Sequence, residues 1–213
     1  MSIRILIVDN QTMVRRGLTM FLSTDAEIHI VGEASNGRES VNMSLALQPD
    51  VILMDLLMPE MDGIEATEII RHQQPDMNII ALSSSTDYVL IMTALLAGVN
   101  TYLHKGSKPN LLLATIKGVS AGRVMLSPAL MERALNDLPA PANKVVLTSD
   151  QLTLLNLLAA GHSDLEIAQQ LHTDTTSVYH AVQTIQSRLS SRTRLLAVLR
   201  AMQLGLIERP HST

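Results

Sequence analysis

The stretch DVILMDLLMPEMDG, residues 50–63, sets a short apolar run, VILM, directly against an aspartate, Asp55. The run does not alternate apolar with polar residues, so both faces of the strand it predicts must be buried. Four similar runs surround it: IRILIV (3–8), IHIVGEA (28–34), NIIALS (78–83) and TYLHK (101–105). Between them lie amphipathic helical patterns, such as Met13, Val14, Gly17, Leu18, Phe21 and Leu22 along one face. Strands of this kind alternating with helices predict a five-stranded parallel sheet covered on both sides, a doubly wound α/β domain. Such a sheet presents its functional loops at the carboxyl ends of its strands.

Those ends carry polar residues that a purely structural sheet does not need. Asp9 and Asn10 follow the first strand, Asp55 the third, Ser83 and Ser84 the fourth, and Lys105 the fifth. Any one of these is commonly a helix cap, a loop residue or a surface charge. Their joint placement at four strand ends points to one crevice. Oxygen ligands from Asp9, Asn10 and Asp55 suit a Mg2+ that keeps several waters. A carboxylate beside Mg2+, a hydroxyl and a lysine is equipped for phosphoryl transfer, with Asp55 as nucleophile and Lys105 neutralising phosphoryl oxygens.

After Arg123 the pattern changes. SPALMERALNDL (127–138) can form a short helix, and PAPANK (139–144) is a Pro-rich connector that cannot continue it. Beyond it the pattern is helical only. Thr148-x-x-Gln151 and Ser163-x-x-Glu166 open two helices as capping boxes, Asp174 and Thr193 can cap two more, and Gly205 can end the last. Four short helices, the second and third joined by HTDT (172–175), predict an all-α helix-turn-helix module. In its third helix, TTSVYHAVQTIQSRL (175–189), Val178, Val182, Ile185 and Leu189 share one face. Tyr179, His180, Gln183 and Gln186 lie opposite, and the one full charge is Arg188.

The 213 residues carry a net charge of −4 and contain one Phe, three Tyr and no Trp or Cys. The lack of Cys excludes disulfides and thiolate metal sites, and so few rings argue against an aromatic nucleic-acid platform. The seven histidines show no zinc-ligand spacing, and His104 is expected to follow ordinary strand alternation. Asp9 interrupts the N-terminal apolar run too early for a signal peptide, and 88–99 is too short to span a bilayer, so a cytoplasmic protein is expected. Residues 1–125 hold 13 acids against 9 bases, whereas 147–213 hold five of each. The second segment thus lacks the strongly basic footprint usual for a DNA-binding domain.

These segments resemble a known family. Residues 1–125 look like the flavodoxin-like receiver domain of a two-component response regulator. The matching elements are ILIVDN, the 50–63 segment with Asp55, Met58-Pro59 and Asp62-Gly63, the ALSS segment with Ser83, and TYLHKG with Tyr102 and Lys105. Residues 147–213 resemble the LuxR-type helix-turn-helix of NarL/FixJ-family regulators, with 126–146 as linker. The resemblance implies a regulator, not an enzyme acting on small molecules, although a receiver assists its own phosphorylation and dephosphorylation. A sensor histidine kinase would phosphorylate Asp55, with Mg2+ held by Asp9, Asn10, Asp55 and the Leu57 carbonyl. Ser83 and Lys105 would engage the phosphoryl oxygens, and Tyr102 would rotate inward as a switch. The output domain would bind double-stranded DNA as a homodimer.

Two departures from the family pattern stand out. Asn10 replaces the usual second acid, which leaves two carboxylates at the metal and implies either slower phosphorylation or a receiver switched by another input. Gly106, where the family commonly has Asp or Pro, counts as minor. In the output module Leu165, Thr176, Tyr179 and Val182 stand where a basic residue is frequent, so binding through phosphates is expected to be weak. The expected DNA contacts are Tyr179, His180 and Gln183 toward bases, with Arg188, Arg192 and Arg194 toward phosphates. Leu195, Leu196, Leu199 and Met202 suit either a dimer contact or core packing. A second reading keeps the fold and makes the near-neutral module a protein-interaction domain.

Overall fold

A computed structural model describes residues 2–139 and 145–208, and the chain divides into two compact units, Met1–Ser120 and Ala121–Thr213. In the first unit five strands alternate with five helices. These are β1 (Ile3–Val8), α1 (Thr12–Leu22), β2 (Ile28–Ala34), α2 (Gly37–Leu47), β3 (Val51–Asp55), α3 (Gly63–Gln73), β4 (Asn78–Ser83), α4 (Tyr88–Ala97), β5 (Thr101–His104) and α5 (Pro109–Ser120). All neighbouring strands are parallel, in the order β2-β1-β3-β4-β5. This is the doubly wound sheet that the continuous apolar runs predict. Every residue of β3 is buried, as a central strand covered on both faces requires.

Local chemistry sets where the helices begin. The Asn36, Asp62 and Asp87 side chains accept N–H bonds from the first turns of α2, α3 and α4, satisfying donors that have no intrahelical partner. Gly63 has a further reason to be glycine. A Cβ there would come within 2.0 Å of the Asp55 carbonyl oxygen, so any side chain would push the start of α3 away from the end of β3.

The second unit is helical: α6 (Pro128–Asp137), α7 (Ser149–Ala159), α8 (Asp164–Gln170), α9 (Thr175–Arg188) and α10 (Arg194–Gln203). Both capping boxes form, and Asp174 and Thr193 cap α9 and α10 as expected. Gly205, at φ +68°, follows the end of α10. The segment assigned as linker from the sequence, 126–146, differs from that expectation in its first half. There α6 packs against α10, and Gln203 Nε2 donates to the Leu138 carbonyl at 2.7 Å. Residues 121–123 also belong to this unit: Asp164 N donates to Ala121 O at 3.0 Å, and Arg123 Nη1 to Gly161 O at 2.6 Å. The unit therefore begins at Ala121, ahead of the expected boundary at 125/126. Most of the Pro-rich connector, 140–144, lies outside the described residues.

Leu195, Leu196, Leu199 and Met202 are all buried within this unit, so their part is core packing. With α6, α7 and α9 around it, α10 has apolar residues on nearly every side and buries them all. No described helix is long and apolar enough to cross a membrane.

Candidate functional site

Four strands of the first unit end side by side, and the residues at those ends meet. Asp9 and Asp55 are 1% and 3% exposed. Lys105 Nζ stands 2.6 Å from Asp9 Oδ2 and 2.8 Å from Asp55 Oδ2, donating a hydrogen bond to the latter. Its contact with Asp9 is a close ion pair, and apart from that ammonium no donor reaches the buried Asp9 Oδ2. The other Asp9 oxygen accepts from Gln11 N at 2.9 Å, and Asp55 Oδ1 accepts from Leu57 N at 3.2 Å. That second bond holds the backbone turn whose carbonyl, at Leu57, is an expected ligand. Asn10 is exposed beside Asp9.

The electrostatics are unbalanced. Burial raises the Asp55 pKa above its ordinary value, and the nearby Asp9 charge adds to this, while Lys105 and the Leu57 N–H pull the other way and do not win. Burial alone would lower the Lys105 pKa, but its contacts with Asp55 and Asp9 outweigh that and raise it. With both carboxylates ionised, one ammonium leaves an excess negative charge on buried groups. The excess charge, the hard oxygen donors and the buried Asp9 Oδ2, met only by the shared Lys105 ammonium, fit a divalent cation such as Mg2+. Among the described residues no three His, Cys, Asp or Glu side chains are grouped for a metal.

Ser83 is buried at the end of β4, and its Oγ accepts from Ser85 N at 3.1 Å. Tyr102 lies inward, 8% exposed, with its hydroxyl donating to Ser85 O at 2.5 Å. Burial raises the Tyr102 pKa, which keeps the hydroxyl protonated and able to donate.

Two residues beside this site were given no part in it from the sequence. Arg15, on α1, donates from Nη1 to Asp9 O at 2.7 Å and pairs with Glu33 through Nε at 3.3 Å, bracing the loop that carries Asp9. Its signal was weak, a basic residue one turn into the helix after an acidic strand end. His104 follows ordinary strand alternation, on the same face of β5 as Tyr102, and its ring reaches across to the loop after β4.

In the helical unit, α9 buries Val178, Val182 and Ile185 as its periodicity predicts, and Leu189 just beyond it is buried too. His180 is exposed, Tyr179 and Gln183 are half-buried, and the Tyr179 and His180 rings meet edge-on with centroids 5.3 Å apart. Gln186, expected on the polar face, is instead buried. Arg188 and Arg192 are exposed, and Arg188 Nη1 donates to Val146 O and Gln151 Oε1, both at 3.2 Å. Arg194 differs from its expected part. It turns inward to pair with both carboxylate oxygens of Asp164 and donates to Gly122 O at 3.0 Å. Its fork is occupied inside the unit, where it ties the starts of α8 and α10 together.

Comparison with known proteins agrees with this architecture. The response regulator receiver domain matches residues 5–117. The response regulator protein VraR of Staphylococcus aureus is 35% identical over 209 residues, covering 98% of this chain and all of that protein. A LuxR-family two-component response regulator from Aurantimonas sp. aligns with a TM-score of 0.60 at 28% identity, over 64% of this chain and 98% of that one. The response regulator ChrA of a heme-sensing two-component system aligns over 97% of this chain and 99% of its own, with a TM-score of 0.53 at 27% identity. A receiver match over more than half its length, a full-length response-regulator relative and a LuxR-family structural neighbour together place this chain in the two-component response regulators, among their LuxR-type (NarL/FixJ) members.

Proposed function

We propose that the chain is a cytoplasmic transcription regulator, phosphorylated on Asp55 by a sensor histidine kinase and binding double-stranded DNA as a homodimer. The observation that carries this reading is the Lys105 ammonium set between the buried carboxylates of Asp9 and Asp55. An Asp55 oxygen attacks phosphorus as the P–N bond of the kinase phosphohistidine breaks, and the departing imidazole takes up a proton. Lys105 meets the phosphoryl charge, and the Ser83 hydroxyl turns from Ser85 N to a phosphoryl oxygen. Bound at Asp9, Asn10, Asp55 and the Leu57 carbonyl, Mg2+ would offset the negative charge of the carboxylates and the phosphoryl group. The same residues assist hydrolysis of the aspartyl phosphate, which resets the switch.

In the output unit, Tyr179, His180 and Gln183 face base edges, with Gln183 suited to adenine, while Arg188 and Arg192 face phosphates. Arg194 acts from within, holding α8 and α10 in place. With so few cations, affinity rests on dimerisation and falls little with added salt.

Selection from a random DNA pool, with and without acetyl phosphate and Mg2+, tests the whole. A two-fold-related motif enriched by the phosphodonor supports it. Recovery of nothing at low salt from folded protein favours the second reading, a protein-interaction module. The observation behind that reading is Leu165, 61% exposed on α8 where a cation is usual.

A further inference from the structure

We propose that His104 is a positioning residue of the phosphoryl site, clasping the loop that follows Ser83 to the loop that carries Lys105, with Gly106 as its fitted counterpart. The proposal rests on the phosphoacceptor reading above and adds a residue to it.

His104 and Tyr102 lie two apart on β5 and so share a face of the strand. They grip consecutive carbonyls of one loop: Tyr102 donates to Ser85 O, and His104 Nε2 lies 3.1 Å from Ser84 O. The other ring nitrogen faces the opposite way. Gly106 N is 3.0 Å from His104 Nδ1, and since a backbone N–H can only donate, Nδ1 must accept. The neutral ring then carries its proton on Nε2, the tautomer that donates to Ser84 O. One imidazole thus satisfies a carbonyl of the β4–α4 loop and an N–H of the β5–α5 loop at once.

The backbone on either side is held too. Lys105 N donates to Ser83 O at 2.8 Å and Ser107 N to His104 O at 2.9 Å. Three successive N–H groups, at 105, 106 and 107, are therefore tied to Ser83 or His104. The reach of Lys105 Nζ to the carboxylates starts from this pinned backbone.

Gly106 completes the arrangement. A Cβ at 106 would lie 3.0 Å from Nδ1 and 3.2 Å from Cε1 of His104, so a side chain would crowd the ring. A proline there would also have no N–H to offer. The glycine at a place where receivers commonly carry Asp or Pro is thus matched to the histidine two residues before it. Both ring contacts are exposed to solvent, so their effect on global stability is small. Their effect is on where the Ser83 and Lys105 loops stand when the phosphoryl group arrives, with Tyr102 inward.

The experiment titrates beryllofluoride, a phosphoryl mimic, into the full chain with Mg2+ present, reads half-saturation from 1H–15N shifts, and records the melting temperature without it. His104→Leu should weaken beryllofluoride binding about threefold to tenfold, the worth of one modest hydrogen bond, at an unchanged melting temperature. His104→Gln, whose amide nitrogen can stand in for Nε2, should recover most of that loss. Gly106→Pro, which removes the N–H that Nδ1 accepts and crowds the ring, should weaken binding although residue 104 is still histidine. Wild-type affinity in His104→Leu, or a lowered melting temperature with unchanged affinity, overturns the clasp and leaves the phosphoacceptor reading intact. Failure of the wild-type chain to bind beryllofluoride overturns both.

Discussion

Lys105 Nζ stands within 2.8 Å of Asp55 Oδ2 and 2.6 Å of Asp9 Oδ2, so one ammonium serves two buried carboxylates that would otherwise repel each other. Replacing it with an apolar residue of similar length exposes that repulsion. Lys105→Met should cost about 3 kcal/mol of stability, as expected when a buried pair loses one partner, and Asp9→Asn in the same chain should return much of it. Urea unfolding of the single and double variants measures this. Full stability in Lys105→Met would mean that the carboxylates are not both charged.

The Asp55 carboxylate is unfavourable where it sits, which gives a test with a definite sign. Because its pKa in the folded chain is raised, the folded state holds the proton more tightly than the unfolded state. Stability should therefore fall as pH rises from the ordinary carboxylate pKa through the raised one. Asp55→Asn removes that dependence and should raise the melting temperature at neutral pH while abolishing phosphorylation by acetyl phosphate. Melting curves without Mg2+ from pH 4 to 8 on both proteins decide it, and an equal pH profile for the two would sink the argument.

Asn10 is the neutral member of the oxygen set. Asn10→Asp should tighten Mg2+ severalfold, because a hard divalent cation gains a charged ligand. It should also raise the rate of phosphorylation at low Mg2+. A Mg2+ titration followed by 1H–15N shifts reads the affinity directly. No tightening would place residue 10 away from the metal.

Two arginines close together in sequence should behave differently. Arg192→Ala should flatten the salt dependence of DNA binding by about one unit of slope, as for one lost phosphate contact. Arg194→Ala breaks the paired contact with Asp164 and should lower the melting temperature of the helical unit, leaving the salt slope as it was. Binding isotherms at several salt concentrations, with melts alongside, separate the two roles. A change of slope in the Arg194 variant alone would reverse them.

Much of the first unit was legible because its strands are short continuous apolar runs with polar residues at one end. All five strand positions, and the set Asp9, Asp55, Ser83 and Lys105, follow from that pattern together with the parallel topology. The helix starts were legible for a local reason as well: a capping side chain lies within three residues of the N–H it serves. Arg194 and His104 were not. Each is defined by a partner distant in sequence, Asp164 for one and Ser84 for the other, and no periodicity reports such a pairing.

The same distinction governs the chain as a whole. Local pattern by itself determined the two kinds of domain, the sites of the helix caps and the polar strand ends, because each depends on residues a few positions apart. Only the tertiary structure decided that α6 belongs with α10, that the leucines of α10 face inward, that Arg194 is a clamp and that His104 spans two loops. An apolar stripe or a charged side chain has the same appearance in sequence whether it meets a core, a partner or solvent. What it meets is set by burial and by contacts between segments far apart in the chain, which exist only once the chain has folded.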